Sequence, residues 1–201
     1  MVIGAKFVWG HLPKTGGDAT LALFRCFPHL ILHADDRMTN DKHTRFRDRE
    51  NEITGKLLVL NIRRLPSWIL SVAQHLARWG VSPDRKRLPM PSADQMAEST
   101  QADNALKSFT DNGRLHIGRW LRMEHLYGDF EEFISDLDEV SEEKRTQIRA
   151  MATINGMTYD HAIDHWFTEP QLQRMYQANP LWASIEERVY PATQVVQFKP
   201  R

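Results

Sequence analysis

The sequence predicts an α/β fold in which a central parallel sheet is flanked by helices and the C-terminal part is helical. Three observations carry this. KFVW (6–9) and KLLVLNI (56–62) are apolar runs rich in β-branched or aliphatic residues, each ended by Gly or Pro within a few positions, as strands are. Each is followed by a stretch whose apolar residues fall largely on one helical face. The second run is continuous rather than alternating, which suits a strand buried on both sides.

The elements follow in order. Residues 5–9 form the first expected strand, entered directly from MVIGAKFVWG with no charged region ahead of an apolar one, so no signal peptide is read there. After the loop 10–17 a helix runs from about Asp18 to Phe27 and stops at Pro28. Residues 30–32 offer a second strand, and the charged stretch 37–55 reads as a loop or exposed helix. Residues 56–62 carry the strongest strand signal; RRLPSW turns the chain, and 69–80 is an amphipathic helix closed by Gly80. The Pro- and charge-rich 81–95 reads as a loop long enough to serve as a lid or substrate gate. A last strand is expected around 118–123, with a helix from about Tyr127. A serine N-cap, two early glutamates and a closing Gly mark a helix over 141–156, and 169–190 gives one or two helices broken at Pro180.

The chain has 201 residues, enough for one domain (1–201) with a real core, and no linker or repeat divides it. Hydrophobic residues make up 41%, and the formal net charge is zero. The first argues against disorder and the second against a general nucleic-acid binder, which needs a basic excess. The single cysteine, Cys26, excludes an intrachain disulfide and sits among apolar helix residues, where it reads as a small buried hydrophobe. No apolar run reaches the length of a membrane span, and a cytoplasmic location is expected.

The loop HLPKTGG (11–17) joins the first strand to the first helix. A Gly-rich turn entering a helix N-terminus aims free backbone N–H groups at one spot, and both features favour an anion. The order of residues separates this loop from two common phosphate loops. A Walker A sequence places Lys after the second Gly, and a dinucleotide fold needs Gly-x-Gly-x-x-Gly. Here Lys14 precedes Gly16 and Gly17.

The arrangement resembles the 5′-phosphosulfate loop of sulfotransferases that use PAPS (3′-phosphoadenosine-5′-phosphosulfate). Many members of the carbohydrate-type branch carry His-x-Pro-Lys-Thr-Gly-Gly after the first strand, which residues 11–17 match. The family's second signature is an Arg at the end of a central strand with a Ser eight positions later on the following helix. RRLPSWILS supplies Arg63 and Ser71 at that spacing. A third, looser echo is WLRMEHLYGDFEEF, where Arg122, Glu124, Leu126, Asp129 and Phe130 fall on a family pattern that shapes the fold more than the chemistry.

The resemblance implies a P-loop-like three-layer fold and transfer of a sulfuryl group from PAPS to an acceptor hydroxyl, leaving PAP, with no metal. It implies that Lys14 neutralises the leaving oxygen and the transferring sulfonate. The amides of Thr15, Gly16 and Gly17 would cradle the 5′-phosphate, and Arg63 and Ser71 would hold the 3′-phosphate. A His or Glu between the first helix and the 3′-phosphate strand takes the acceptor's proton. His43 is the first candidate and His33 the second, with Asp35 and Asp36 either orienting a histidine or simply turning the chain. The chain departs from the family after the second Gly, where hydroxyls are usual and Asp18-Ala19-Thr20 stands here. Asp18 reads as an N-cap, and Thr20 could return the lost hydroxyl one turn later. Alternatively the carboxylate alters donor preference or abolishes activity. The implied partner is a small-molecule or glycan acceptor. Two other readings stay open: a kinase-like nucleotide-binding enzyme, and a catalytically impaired sulfotransferase-fold binding protein.

Elsewhere His161 and His165 share i, i+4 spacing without a third metal ligand and read as surface histidines. Trp166, Phe167, Tyr176 and Trp182 read as a C-terminal helical core, with an acceptor-stacking surface as the alternative.

Overall fold

The computed structural model describes residues 1–35, 43–80, 87–151 and 158–190. Strand β1 (Val2–Gly4) turns back into β2 (Phe7–Gly10), which leads through the Gly-rich loop into helix α1 (Gly17–Phe24). Strand β3 (Ile31–Ala34) follows a short 3-10 turn, and another such turn, Phe46–Arg49, enters α2 (Glu50–Ile53). Strand β4 (Leu57–Ile62) runs into the long α3 (Leu65–Trp79). Helices α4 (Ala93–Ala97) and α5 (Gln101–Phe109) precede β5 (Arg119–Arg122). The chain ends in α6 (Leu126–Ser135), α7 (Glu142–Arg149), α8 (Ile163–Trp166), α9 (Glu169–Ala178) and α10 (Pro180–Val189).

Among the described residues the sheet has five strands in the order β3-β1-β2-β4-β5. It is mixed. Strands β2, β4 and β5 are parallel, with Trp9 opposite Val59 and Leu60 opposite Trp120, as the apolar runs predict. The other side differs from the expected parallel arrangement: β1 pairs antiparallel with both β2 and β3. MVIG is therefore not a lead-in to the first strand but a strand itself. A two-residue connection can only return the chain antiparallel.

Alternate residues of the parallel strands enter two cores, because side chains in a strand point to opposite faces. Phe7, Trp9, Val59 and Leu121 pack with Leu23, Phe24, Phe130 and Phe133 from α1 and α6. Phe24 stacks on Phe7 with ring centroids 5.3 Å apart. Val8, Leu58, Leu60 and Ile62 pack on the opposite side with Leu65, Trp68, Leu106 and Trp182, from α3, α5 and α10. The strand β4 carries one polar residue in its interior, Asn61, which is fully buried. Its carboxamide is satisfied three times over: it accepts from Trp9 Nε1 (2.7 Å) and donates to the Thr15 carbonyl (3.0 Å) and Thr20 Oγ1 (2.6 Å).

Boundaries moved where local chemistry allowed. Helix α3 starts at Leu65 rather than 69, because Pro66 is tolerated in a first turn whose N–H groups have no intrahelical acceptor. Helix α1 ends at Phe24, with Pro28 opening the next turn. Residues 81–86 of the expected gate loop, and 152–156 of the expected 141–156 helix, lie outside the described residues. Helix α4 occupies part of the former stretch, capped reciprocally by Ser92 and Gln95. Helix α5 was not anticipated, although Ala102, Leu106 and Phe109 are buried at helical spacing.

No helix among the described residues is long and apolar enough to cross a membrane.

Candidate functional site

Strands β2, β4 and β5 end on the same side, and there the chain opens a cleft of about 830 Å³. Lys14, Gly16, Gly17, Asp18 and Ala19 line it from the first loop and α1, Arg63 from the end of β4, and Ser71 from α3. His43 also lines it. Two segments nearly fifty residues apart in sequence therefore meet around one space, at the carboxyl ends of parallel strands where α/β sheets place ligands.

The loop is held from its carbonyl side. Thr15 Oγ1 donates to the Leu12 carbonyl (2.8 Å), Trp68 Nε1 to Pro13 (2.9 Å), and Asn61 to Thr15. With those oxygens engaged inside the fold, the first-turn N–H groups of α1 are left at the cleft, and they have no intrahelical acceptor. The N-cap residue is Gly16, which has no side chain to cap them. Lys14 and Gly16 both adopt positive φ, 65° and 86°. For Gly16 this is free of steric cost; for Lys14 it is strain of the kind stored at functional sites. A Cβ on Gly17 would sit 1.9 Å from His11 Nε2, so only glycine lets that imidazole lie against the helix start.

Arg63 is the most informative side chain in the cleft. Its Nε is buried and has no hydrogen-bond partner among the described residues. A buried donor without an acceptor costs free energy and is rare in native proteins. The backbone beside it is firmly held: Trp182 Nε1 donates to the Arg63 carbonyl (3.0 Å), and Leu65 N–H donates to Glu186 (2.8 Å). Glu186 also accepts from Arg64 (3.1 Å) and Tyr176 Oη (2.9 Å). Arg64 lies 4.0 Å over the Tyr190 ring, and the Tyr190 hydroxyl donates to Glu124. Burial raises the Glu186 carboxyl above the usual range against these hydrogen bonds, and it also pushes the Tyr176 and Tyr190 phenols up, aided by the neighbouring glutamates.

His43 is attached to the loop. Its Nδ1 lies 2.9 Å from the His11 carbonyl, and the two imidazoles meet edge to face at 4.6 Å. A carbonyl only accepts, so Nδ1 carries the proton and the neutral ring keeps its lone pair on Nε2. His33 lies on β3, its Nε2 3.1 Å from Asp35, and does not line the cleft. Asp35 is buried and accepts from the Met1 amino group at 2.8 Å. Asp36 lies outside the described residues.

Two expectations at the loop change. Asp18 is not the N-cap but the second residue of α1, where its carboxylate complements the helix dipole; the residue lines the same cleft, with its Oδ1 buried. Thr20 is fully buried; its hydroxyl donates to the Gly16 carbonyl (3.1 Å) and accepts from Asn61, so it is used inside the fold. Thr15 is likewise buried.

Sequence reading missed much of the cleft wall: Trp68, His75, Arg78, Trp79, Tyr159 and His161. The α3 residues had a signal, since 68, 71, 72, 75 and 79 recur at helical spacing on the Ser71 face. His161 precedes α8 and does not share a helix with His165; its ring packs on Tyr159 at 4.1 Å. No cluster of metal-ligating side chains is present among the described residues. Phe167 and Trp182 are buried, in keeping with a helical core. Arg122 and Asp129 pair at 2.6 Å, and Leu126 and Phe130 are core residues.

No protein-family model matches the chain, and a search of curated proteins returns no match.

Proposed function

We propose that this protein is a PAPS-dependent sulfotransferase acting on a hydroxyl acceptor, on a P-loop-like three-layer scaffold. The observation that carries the reading is the buried, unpartnered Nε of Arg63, a residue that lines a cleft shared with Ser71 and the HLPKTGG loop. A phosphate is a fitting acceptor: it takes a guanidinium in a bidentate grip, and Ser71 adds a hydroxyl donor. The glycine cradle fits a second anion at the start of α1. A ligand with two separated phosphate-like groups suits both.

When bound, PAPS supplies an activated sulfuryl group at its 5′ end. The chain's own residues do the rest. The amides of 15–17 and the first turn of α1 bind and orient the 5′ group. Lys14, held beside it by the braced loop, offsets charge developing on the bridging oxygen. His43 Nε2 accepts the acceptor's hydroxyl proton, and its Nδ1–H bond to the His11 carbonyl keeps the ring in the tautomer that can do so. Binding and positioning dominate such a transfer.

Calorimetric titration with PAP, AMP, ADP and ATP tests this on the parent and Arg63→Ala. PAP should bind at least tenfold more tightly than AMP. The substitution should weaken PAP by about ten- to a hundredfold, the roughly 1.5–3 kcal/mol of a hydrogen bond to a charged group. Equal affinity for PAP and AMP rejects the reading, and a preference for ATP favours a kinase-like enzyme. Asp18 in the cleft favours a second reading, a binding protein of the same fold. A like charge beside the bound anion weakens it. Tight PAP binding without turnover on a broad acceptor panel selects that one.

A further inference from the structure

The cleft continues past Ser71. Helix α3 lines it to Trp79, about 12 Å farther along the axis at roughly 1.5 Å per residue. Trp79 is 64% exposed, a large aromatic surface left at a cavity rim. The Arg78 guanidinium lies 5.2 Å from the Trp79 ring centroid and has no acidic partner among the described residues. His75 stands one turn nearer to Ser71, and the paired rings of Tyr159 and His161 form another part of the wall. Among the described lining residues, Lys14, Arg63 and Arg78 face a single carboxylate, Asp18, in a chain whose net charge is zero. Positive charge is thus gathered here, and only part of it serves the two anion positions already assigned.

We propose that the outer end of this cleft is an acceptor subsite for a ring that bears an anionic group, with the ring against Trp79 and the anion on Arg78. This rests on the sulfotransferase reading for the word acceptor. An aromatic face offers a sugar or aromatic ring a platform. The Arg78 guanidinium lies over one face of the indole, which leaves the opposite face to the ring, and it keeps its N–H edge for a carboxylate, sulfate or phosphate. The imidazoles of His75 and His161 supply further polar contacts. The shared chemistry is a hydroxylated ring acid, from either a sugar or an aromatic source.

The test titrates methyl β-glucuronide against methyl β-glucoside, and 4-hydroxybenzoate against 4-methylphenol, by ligand-observed NMR with and without PAP. At least one acid should bind fivefold or more tightly than its neutral partner, and which acid does so names the source. That preference should vanish in Arg78→Ala and the ring contribution in Trp79→Ala. PAP affinity, titrated separately, should stay within twofold in both variants. Acids that bind no better than their neutral partners overturn the proposal, as does a preference that survives Arg78→Ala. A fall in PAP affinity in either variant also overturns it, assigning the outer end to the nucleotide. If the parent itself does not prefer PAP, the sulfotransferase reading fails, while the acid preference measured without PAP still decides the subsite.

Discussion

Arg63 and Arg64 are neighbours at the end of β4 and meet opposite surroundings. Arg64 pairs with Glu186, lies over Tyr190, and joins α10 to the sheet. Arg63 turns into the cleft, its Nε buried without a protein acceptor. One arginine is spent on the fold and the other is reserved. The braced side supplies what the open side lacks: Trp182 bonds the Arg63 carbonyl and Glu186 the Leu65 amide two residues on, and together they fix the backbone from which the Arg63 side chain starts. On the proposed reading, the contrast teaches that affinity for a phosphate at Arg63 would depend on rigidity provided by residues that do not line the cleft.

Breaking the braced side should give the largest loss of stability. Glu186 is 4% exposed and accepts from Arg64, Leu65 N–H and Tyr176. Glu186→Ala leaves all three without their acceptor. Removal of one member of a buried ion pair costs about 3–5 kcal/mol, and the partial exposure of Arg64 argues for the lower end, about 3 kcal/mol. Urea denaturation at neutral pH measures it; a loss below about 1 kcal/mol would show that α10 does not depend on this carboxylate.

The loop responds next. Gly17→Ala places a methyl carbon against the His11 imidazole, so ring or helix must shift. Overpacking of this kind costs about 1–3 kcal/mol. Because His11 carries His43 on its carbonyl, the same change should displace the proposed base and weaken PAP severalfold. Parent-like melting together with parent-like PAP affinity would mean that the contact relaxes without consequence.

The two sides also differ in how far the sequence revealed them. The open side rests on short local patterns. HLPKTGG and the Arg63–Ser71 spacing each lie within one strand–turn–helix unit, so composition and spacing alone place them at strand ends. The braced side is built from contacts over sixty or more residues: Arg64 to Glu186, Tyr190 to Glu124, Trp182 to Arg63. No periodicity encodes such pairings. The same reason explains Asn61, which looks like an interruption of an apolar strand until Trp9, Thr15 and Thr20 surround it. Strand β1 was missed because three residues are too few for an alternation to register. Asp18 looked like a cap because Asp favours that position, but the αL turn at Gly16 moves the helix start one residue ahead of it.

A pH dependence separates the sides further. Burial raises the Glu186 pKa in the folded state above its unfolded value near 4.5. Between the two values the folded protein holds a proton that the unfolded chain has released. This contribution to stability is therefore present below about pH 4.5 and is lost as pH rises through the folded pKa. Glu131 works in the other direction, since the hydrogen bonds of Arg145 and Arg149 outweigh its burial and lower its pKa. Its contribution is present above 4.5 and fades as pH falls. Stability of Glu186→Gln, followed by urea midpoint between pH 4 and 7, should lose the downward component while keeping the acid-side loss. Identical profiles for parent and variant would mean that Glu186 titrates alike in both states.

The smallest effect should come from the open side. Arg63→Ala removes a charge that the folded protein buries in part and satisfies with no acceptor at Nε. Folding gains nothing from that donor and bears its desolvation, so truncation is expected to change stability by no more than about 0.5 kcal/mol, toward stabilisation if either way. The lost packing of the arginine stem works against this, and the two should nearly cancel. Urea denaturation of parent and variant, each with and without PAP, reads both sides at once. Without ligand the curves should superimpose, and with PAP the parent should shift to higher urea by more than the variant, because the stabilisation grows with the logarithm of ligand concentration over Kd. A large loss of stability without ligand would place Arg63 with Arg64 among the residues that hold the fold, and would remove the main support for a phosphate at this position.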